Sequence, residues 1–135
     1  MREIIFRGKR IDNGEWVYGY YVRNEHMGII KHIIITDWAQ VYVNSFKVDP
    51  DTLGQFSGLR DNKRTAEFPE GQRIFEGDIV NFDGGIARVE WCNDLACYLA
   101  VFADVSDVML HAISHRCAVI GNIHEHKNLL GGEVD

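Results

Sequence analysis

The chain has no long apolar run, few cysteines and a shortage of basic residues, and each deficit removes a class of protein. No stretch is long and apolar enough to span a bilayer. The opening REIIFRGKR mixes charge with strand-forming residues where a secretory leader would be apolar, so no membrane association is expected. Cysteine occurs at Cys92, Cys97 and Cys117, an odd number without the spacing of a secreted framework. Reduced thiols in a cytoplasm are the simplest account. Lys and Arg total 14 against 20 acidic residues, a formal net charge of -6. A duplex-binding protein neutralises phosphates with a basic face and its affinity follows that count, so the balance disfavours nucleic acid. A local group of cations, Arg2, Arg7, Lys9 and Arg10, reads either as a nucleic-acid patch or as a charged strand edge that resists edge-to-edge pairing. Proline is scarce, 2 against 13 glycines, which leaves the tight turns to glycine.

What is present is ordinary globular composition, 46% apolar and 25% charged over 135 residues. That length makes one domain or two very small units, and folding buries roughly two-thirds of the chain's surface without help from a metal or disulfide. Short β segments dominate. Residues 2–11 and 15–22 flank Asp12-Asn13-Gly14, and Asn-Gly tolerates the positive φ of a tight hairpin turn. In the second of these, Trp16, Tyr18 and Tyr20 fall on one face and Val17, Gly19 and Tyr21 on the other. The run IIKHIIIT at 29–36 predicts a strand buried on both faces, because isoleucine is stiff in a helix and the run is short. Strands are also expected at 40–43 and 46–48, and Asp49-Pro50-Asp51-Thr52 suits either one capped helical turn or a tight turn.

Residues 54–71 read as an irregular polar connection, including the small-residue stretch Gly54-Gln55-Phe56-Ser57-Gly58. Beyond it the pattern predicts strands at 73–75, 78–82, 86–91, 97–102, 108–112 and 117–123, with Asp83-Gly84-Gly85 as a hairpin turn. The segment 105–115 also suits a helix, and 125–130 suits a short helical turn ended by Gly131-Gly132. The expected class is all-β, many short antiparallel strands with glycine turns. The expected organisation is one domain over 1–135, with a β subdomain at 1–53, a connecting loop at 54–71 and a barrel at 72–130.

Three stretches, taken in order, resemble the YopX family of phage and prophage proteins: REIIFRGKRIDNGEWVYGYYV, VDPDTLGQFSGLRDNKRTAEFPEGQRIFEGDIV and VIGNIHEHKNLL. The resemblance runs from about Arg2 to Leu130. It implies an all-β protein with an SH3-like barrel in its second half, a bacterial or phage origin and residence inside the cell, and it brings no catalytic residues. Two departures stand out. The segment RDNKRTAEFPEGQRI is longer than the family's compact turn, and His124 and His126-Lys127 stand where the family carries an aromatic and Asn-Pro.

The acidic stretch FPEGQRIFEGDIVNF at 68–82 offers Glu70, Glu76 and Asp78 as either catalytic carboxylates or turn chemistry. Acid–base catalysis needs two carboxylates in distinct environments facing one cleft, and the chain shows no nucleophile motif or phosphate-cradling loop beside them. Gly77 as a bend and Asp78 as an acceptor for backbone amides is the favoured reading, so no enzyme is expected. An enzymatic alternative would bring Glu76 and Asp78 to His111 or His115. Zinc would need His111, His115 and Cys117 with Cys92 or Cys97, which have ligand types without ligand spacing, so no metal and no cofactor are expected. Trp16, Tyr18, Tyr20, Tyr21, Trp38 and Tyr42 place many aromatics in the first third, as core or as a protein contact surface. Trp38 and Tyr20, with Arg7, Lys9 and Arg10, form the candidate interaction surface. A protein partner or self-association is expected, with nucleic acid as the alternative.

Overall fold

The structure, a computed structural model, describes residues 2–130. The chain divides between Phe56 and Ser57 into two compact units. In the N-terminal unit β1 (Phe6–Lys9), β2 (Trp16–His26), β3 (Ile29–Ile35), β4 (Ser45–Lys47) and the start of β5 (Gly54–Arg60) lie in the order β4-β3-β2-β1-β5. The expected first hairpin is there, with Lys9 opposite Trp16 and Phe6 opposite Gly19. Gly14 closes the turn at φ 74°. Strand β1 is shorter than 2–11; just beyond it Arg10 stays bonded to Glu15 across the hairpin and also bridges Val48.

The β2–β3 hairpin is longer than its sequence suggests. Met27 and Gly28 take positive φ and carry the whole turn, so pairing runs from Tyr20–Ile35 out to His26–Ile29. This length corrects the reading of 29–36 as buried on both faces. Strand β1 ends its pairing at Gly19 and β4 reaches only Ile33. The outer half is thus a two-stranded ribbon in which Ile29 and Ile30 are exposed, while Ile34 and Ile35 are buried where neighbours flank them. Gly19 is required by close approach: a Cβ there would strike the Ile35 carbonyl oxygen. The expected strand at 40–43 is instead a 3-10 turn (Trp38–Gln40) and further turns, and a second 3-10 turn (Pro50–Thr52) carries Pro50 at its start.

In the C-terminal unit, the second half of β5 is flanked by β6 (Arg73–Phe75). Here 54–60 corrects the expected loop. Gly54 and Phe56 are buried in alternation with less buried neighbours, a strand pattern that the glycines mask. A five-stranded antiparallel ladder follows, ordered β10-β9-β8-β7-β11, from β7 (Asp78–Phe82), β8 (Gly85–Cys92), β9 (Cys97–Phe102), β10 (Asp107–Met109) and β11 (Cys117–Asn122). Strands β10 and β11 are its ends, so the all-β class holds while the ladder itself is open. Asp83 and Gly84 take φ 50° and 89° and make the expected hairpin turn, with Phe82 opposite Gly85.

The ambiguous segment 105–115 uses both forms. Strand β10 leads into α1 (Leu110–Ile113) and a 3-10 turn (Ser114–Arg116), which shortens the strand expected at 108–112. Leu110 and Ile113 are thereby turned inward on Ile74, Val80, Ala87, Val89, Ala100, Cys117 and Val119, the core of this unit. Burying a side chain of Leu or Ile size contributes about 1.5–3 kcal/mol. The tail forms a 3-10 turn (Lys127–Leu130); its expected stop at Gly131-Gly132 lies outside the described residues. Among the described residues no helix is long and apolar enough to cross a membrane.

Candidate functional site

Residues 37–44 of the N-terminal unit hold their shape by a local set of hydrogen bonds. Asp37 caps the 3-10 turn, its Oδ1 accepting from the Ala39 amide at 2.9 Å. The Gln40 carbonyl accepts from the Asn44 amide at 3.1 Å and from Asn44 Nδ2 at 3.1 Å. The Thr36 amide donates to the Asn44 carbonyl at 2.9 Å, and Ser45 Oγ donates to the Val41 carbonyl at 2.5 Å. With its polar backbone satisfied from within, the segment turns its large side chains out: Trp38 is 57% exposed, Val43 67%, and Tyr42 fully. The segment encloses an open hollow of about 470 Å³ lined by residues 38–43.

Tyr20 extends this surface. It is about half exposed, and its ring lies 6.0 Å from that of Trp38 at a 41° tilt. Tyr18, two positions earlier on the same face of β2, is also about half exposed. The sequence names Trp38 and Tyr20 as surface candidates and counts Tyr42 among the aromatics, but its pattern puts Tyr42 and Val43 in a strand, where the structure has turns. The available signal was Asp37, a capping residue immediately before Trp38.

The cations of the expected surface are placed differently. Arg7 is buried, its guanidinium 4.8 Å from the centre of the Trp16 ring, and so is no part of an exposed surface; this corrects its selection. Its charge alone suggests a surface residue, whereas its register opposite Tyr18 and beside Trp16 lets the aromatic rings cover it. Lys9 is half-buried, with its ammonium 5.5 Å from the same ring. Arg10 stacks at 4.4 Å on Phe46 and forks onto Asp12, Nε to Oδ1 at 2.9 Å and Nη2 to Oδ2 at 2.6 Å. That hydrogen-bonded fork holds the Asp12 carboxyl below its usual range and raises Arg10 further.

In the C-terminal unit the acidic stretch performs turn chemistry. Gly77 sits at φ 90°, its N–H donating to the Val89 carbonyl at 2.9 Å and its carbonyl accepting from the Ile123 amide at 2.8 Å. Asp78 is 2% exposed and its Oδ2 accepts from the Phe75 amide at 2.8 Å. A hollow of about 600 Å³ lies elsewhere in this unit, lined by Gly85, Ile86, Phe102, Asp104 and Leu129 among others. Its carboxylate, Asp104, accepts from Ser106 Oγ at 2.5 Å and from the Ser106 amide at 3.0 Å, bonds that lower its pKa. Among the described residues no three His, Cys, Asp or Glu side chains gather in an arrangement able to hold a metal ion, and His111, His115 and Cys117 form no such set.

Two buried polar residues that sequence reasoning did not single out organise the rest. Asp61, 4% exposed, accepts through Oδ1 from the amides of Gln72 (2.7 Å) and Lys63 (3.0 Å), and through Oδ2 from the Val119 amide at 2.9 Å. It closes the neck of the long segment 61–72 and ties it to β11. Asn122 shapes the terminal turn: its Oδ1 accepts from the amides of His124 and Glu125, both at 3.0 Å, and its own amide donates to His126 Nδ1 at 3.1 Å.

Both places where the chain departs from the YopX pattern are thus fastened by a single buried side chain beside them, and the stretches that carry the resemblance contain the fold's own fixtures: Asp61, Gly77, Asp78 and Asn122. No curated protein matches the chain. Residues 5–131 match the family model described as YopX protein, and the chain belongs to that family.

Proposed function

We propose that this protein is a phage-type accessory protein of the bacterial cytoplasm that acts without catalysis, by binding another protein through the aromatic surface of its N-terminal unit. The observation that carries this reading is the turn at 37–44, which holds Trp38, Tyr42 and Val43 outward beside Tyr20. Leaving a large apolar side chain in water forgoes about 1.5–3 kcal/mol of burial each. A group of them on a hydrogen-bonded, pre-shaped turn is the composition of an interface centre: the side chains need little ordering on contact, and aromatic residues dominate binding energy. The cations that would serve a nucleic-acid surface are turned to other work, Arg7 under Trp16 and Arg10 onto Asp12.

The test compares wild type with Trp38→Ala and Tyr42→Ala in capture from a bacterial host lysate at low and high salt, with light scattering to follow self-association. Loss of one defined protein partner, or of self-association shown by wild type, in both variants at an unchanged melting temperature supports the proposal. Retention of nucleic acid at low salt that high salt removes, equal in wild type and variants, overturns it in favour of a nucleic-acid-binding barrel.

A further inference from the structure

Cys92 and Cys97 end the β8–β9 hairpin directly opposite each other in the ladder. Both are partly exposed thiols, whereas Cys117 is sealed in the core. Alternation along β8 places Ala87 and Val89 in the core, and so places Cys92 on the other face with Arg88 and Glu90, which pair with each other at 2.7 Å. The Val89 carbonyl accepts from Gly77, on the β7 side, and the Phe102 amide donates to Ser106, on the β10 side. Both residues are therefore turned away from the β8–β9 ladder. Counting alternately along the register makes Glu90–Leu99 and Cys92–Cys97 hydrogen-bonded pairs. Opposed residues of that kind have Cα atoms about 5.5 Å apart, inside the range of about 4.4–6.8 Å that a disulfide spans.

We infer that Cys92 and Cys97 are a reversible thiol–disulfide site, oxidised by a low-molecular-weight disulfide such as glutathione disulfide. One cysteine thiolate attacks a sulfur of the small disulfide, breaking its S–S bond. The glutathione thiolate released takes up the proton that the cysteine gave up. The second cysteine, as thiolate, attacks the protein sulfur of the mixed disulfide and expels the other glutathione, which is protonated in turn. Two protein thiols are oxidised to one S–S bond and one glutathione disulfide is reduced to two glutathione thiols.

The bond is a labile one, for two reasons. A hydrogen-bonded pair must draw its Cβ atoms together from the separation the ladder sets, about 4.5–5.5 Å, to the roughly 3.8 Å of a disulfide, and the strain favours reduction. It also closes only the short loop 92–97, so it constrains the unfolded chain little. The exposed turn 93–96, with Ala96 at φ 53°, joins the two cysteines. The adjacent pair, Trp91 and Tyr98, projects to the opposite face and makes an edge-to-face ring contact there at 5.0 Å.

The experiment incubates the full chain with glutathione disulfide, alkylates the remaining free thiols after unfolding, and reads intact mass and peptide maps. The expected product has lost two hydrogen atoms, leaves only Cys117 to be alkylated, and returns to three free thiols in excess reduced glutathione. Cys92→Ser and Cys97→Ser should each stop at a stable single glutathione adduct, and Cys117→Ser should still form the bond. Persistent mixed disulfides on wild type, a bond involving Cys117, or three thiols still free after prolonged exposure would each overturn the inference.

Discussion

Asp61 is the residue whose removal tests most directly how the C-terminal unit is held. Its carboxylate accepts three backbone N–H groups, and two of them, from Gln72 and Val119, belong to strands or their flanks on opposite sides of the segment. The Lys63 amide can turn to water when Asp61 is truncated, because Lys63 is exposed. The Val119 amide cannot; its bond is buried. A hydrogen bond to a charged group is worth about 1.5–3 kcal/mol, and a buried donor left without an acceptor costs about 1–3 kcal/mol. With the Gln72 bond lost as well, Asp61→Ala should cost about 3–5 kcal/mol, a large share of the roughly 5–15 kcal/mol that holds a domain together. Asp61→Asn keeps the shape but must point its NH₂ group at one of the donors, so it should also destabilise, by about 2 kcal/mol or more. Urea unfolding followed at Trp91, with a slope of about 2 kcal/mol per molar, would show the Ala midpoint lower by about 2 M at unchanged slope. Amide exchange at Val119 and Gln72 should accelerate with it. A cost below about 1 kcal/mol for Asp61→Ala, with Val119 still protected, would refute the assignment of Asp61 as the fastening of this unit.

Cys117 predicts a pH dependence. Burial first, then the carboxylates of Asp61 and Asp83, pushes its thiol up to about 11 from the ordinary 9.0. The folded chain keeps a proton that the unfolded chain releases, so stability is intact below pH 9 and falls as pH rises toward 11, by about 2–3 kcal/mol. Cys117→Ala should lose about 1 kcal/mol at neutral pH to the missing atom but show a shallower decline over pH 9–11; parallel curves for the two proteins would contradict this. At the strand entrance, Asp78→Ala should cost about 1–3 kcal/mol by stranding the Phe75 amide, and Gly77→Ala about 1–2 kcal/mol by forcing a side chain to positive φ. Thermal melts that place both variants within error of wild type would disprove the turn assignment.

The local phrases of this chain were legible because their physics is local. Gly14, Asp83 and Gly84 take the positive φ that their turns need, and Gly77 with Asp78 opens a strand by a bond that spans only three residues. The same holds for the short β-branched and aromatic runs between turns that mark 73–75, 78–82 and 97–102 as strands, whose bounds the structure reproduces. Where the reading failed, a distant neighbour decided. Ile29 is exposed and Ile34 buried because β1 and β4 flank only one end of the ribbon. Arg7 is hidden because register sets it beside Trp16. In 40–43 the alternation of QVYV lost to the cap at Asp37.

From its residues alone this protein was an all-β chain of short hairpins with YopX character, since turn propensity and two-residue alternation act through neighbours in sequence. Which aromatics reach water, which carboxylate fastens the long segment and which two cysteines face each other depend on pairings between positions far apart along the chain. Register is a property of whole strands: a shift of one residue turns every side chain to the opposite face, and only the folded molecule fixes it.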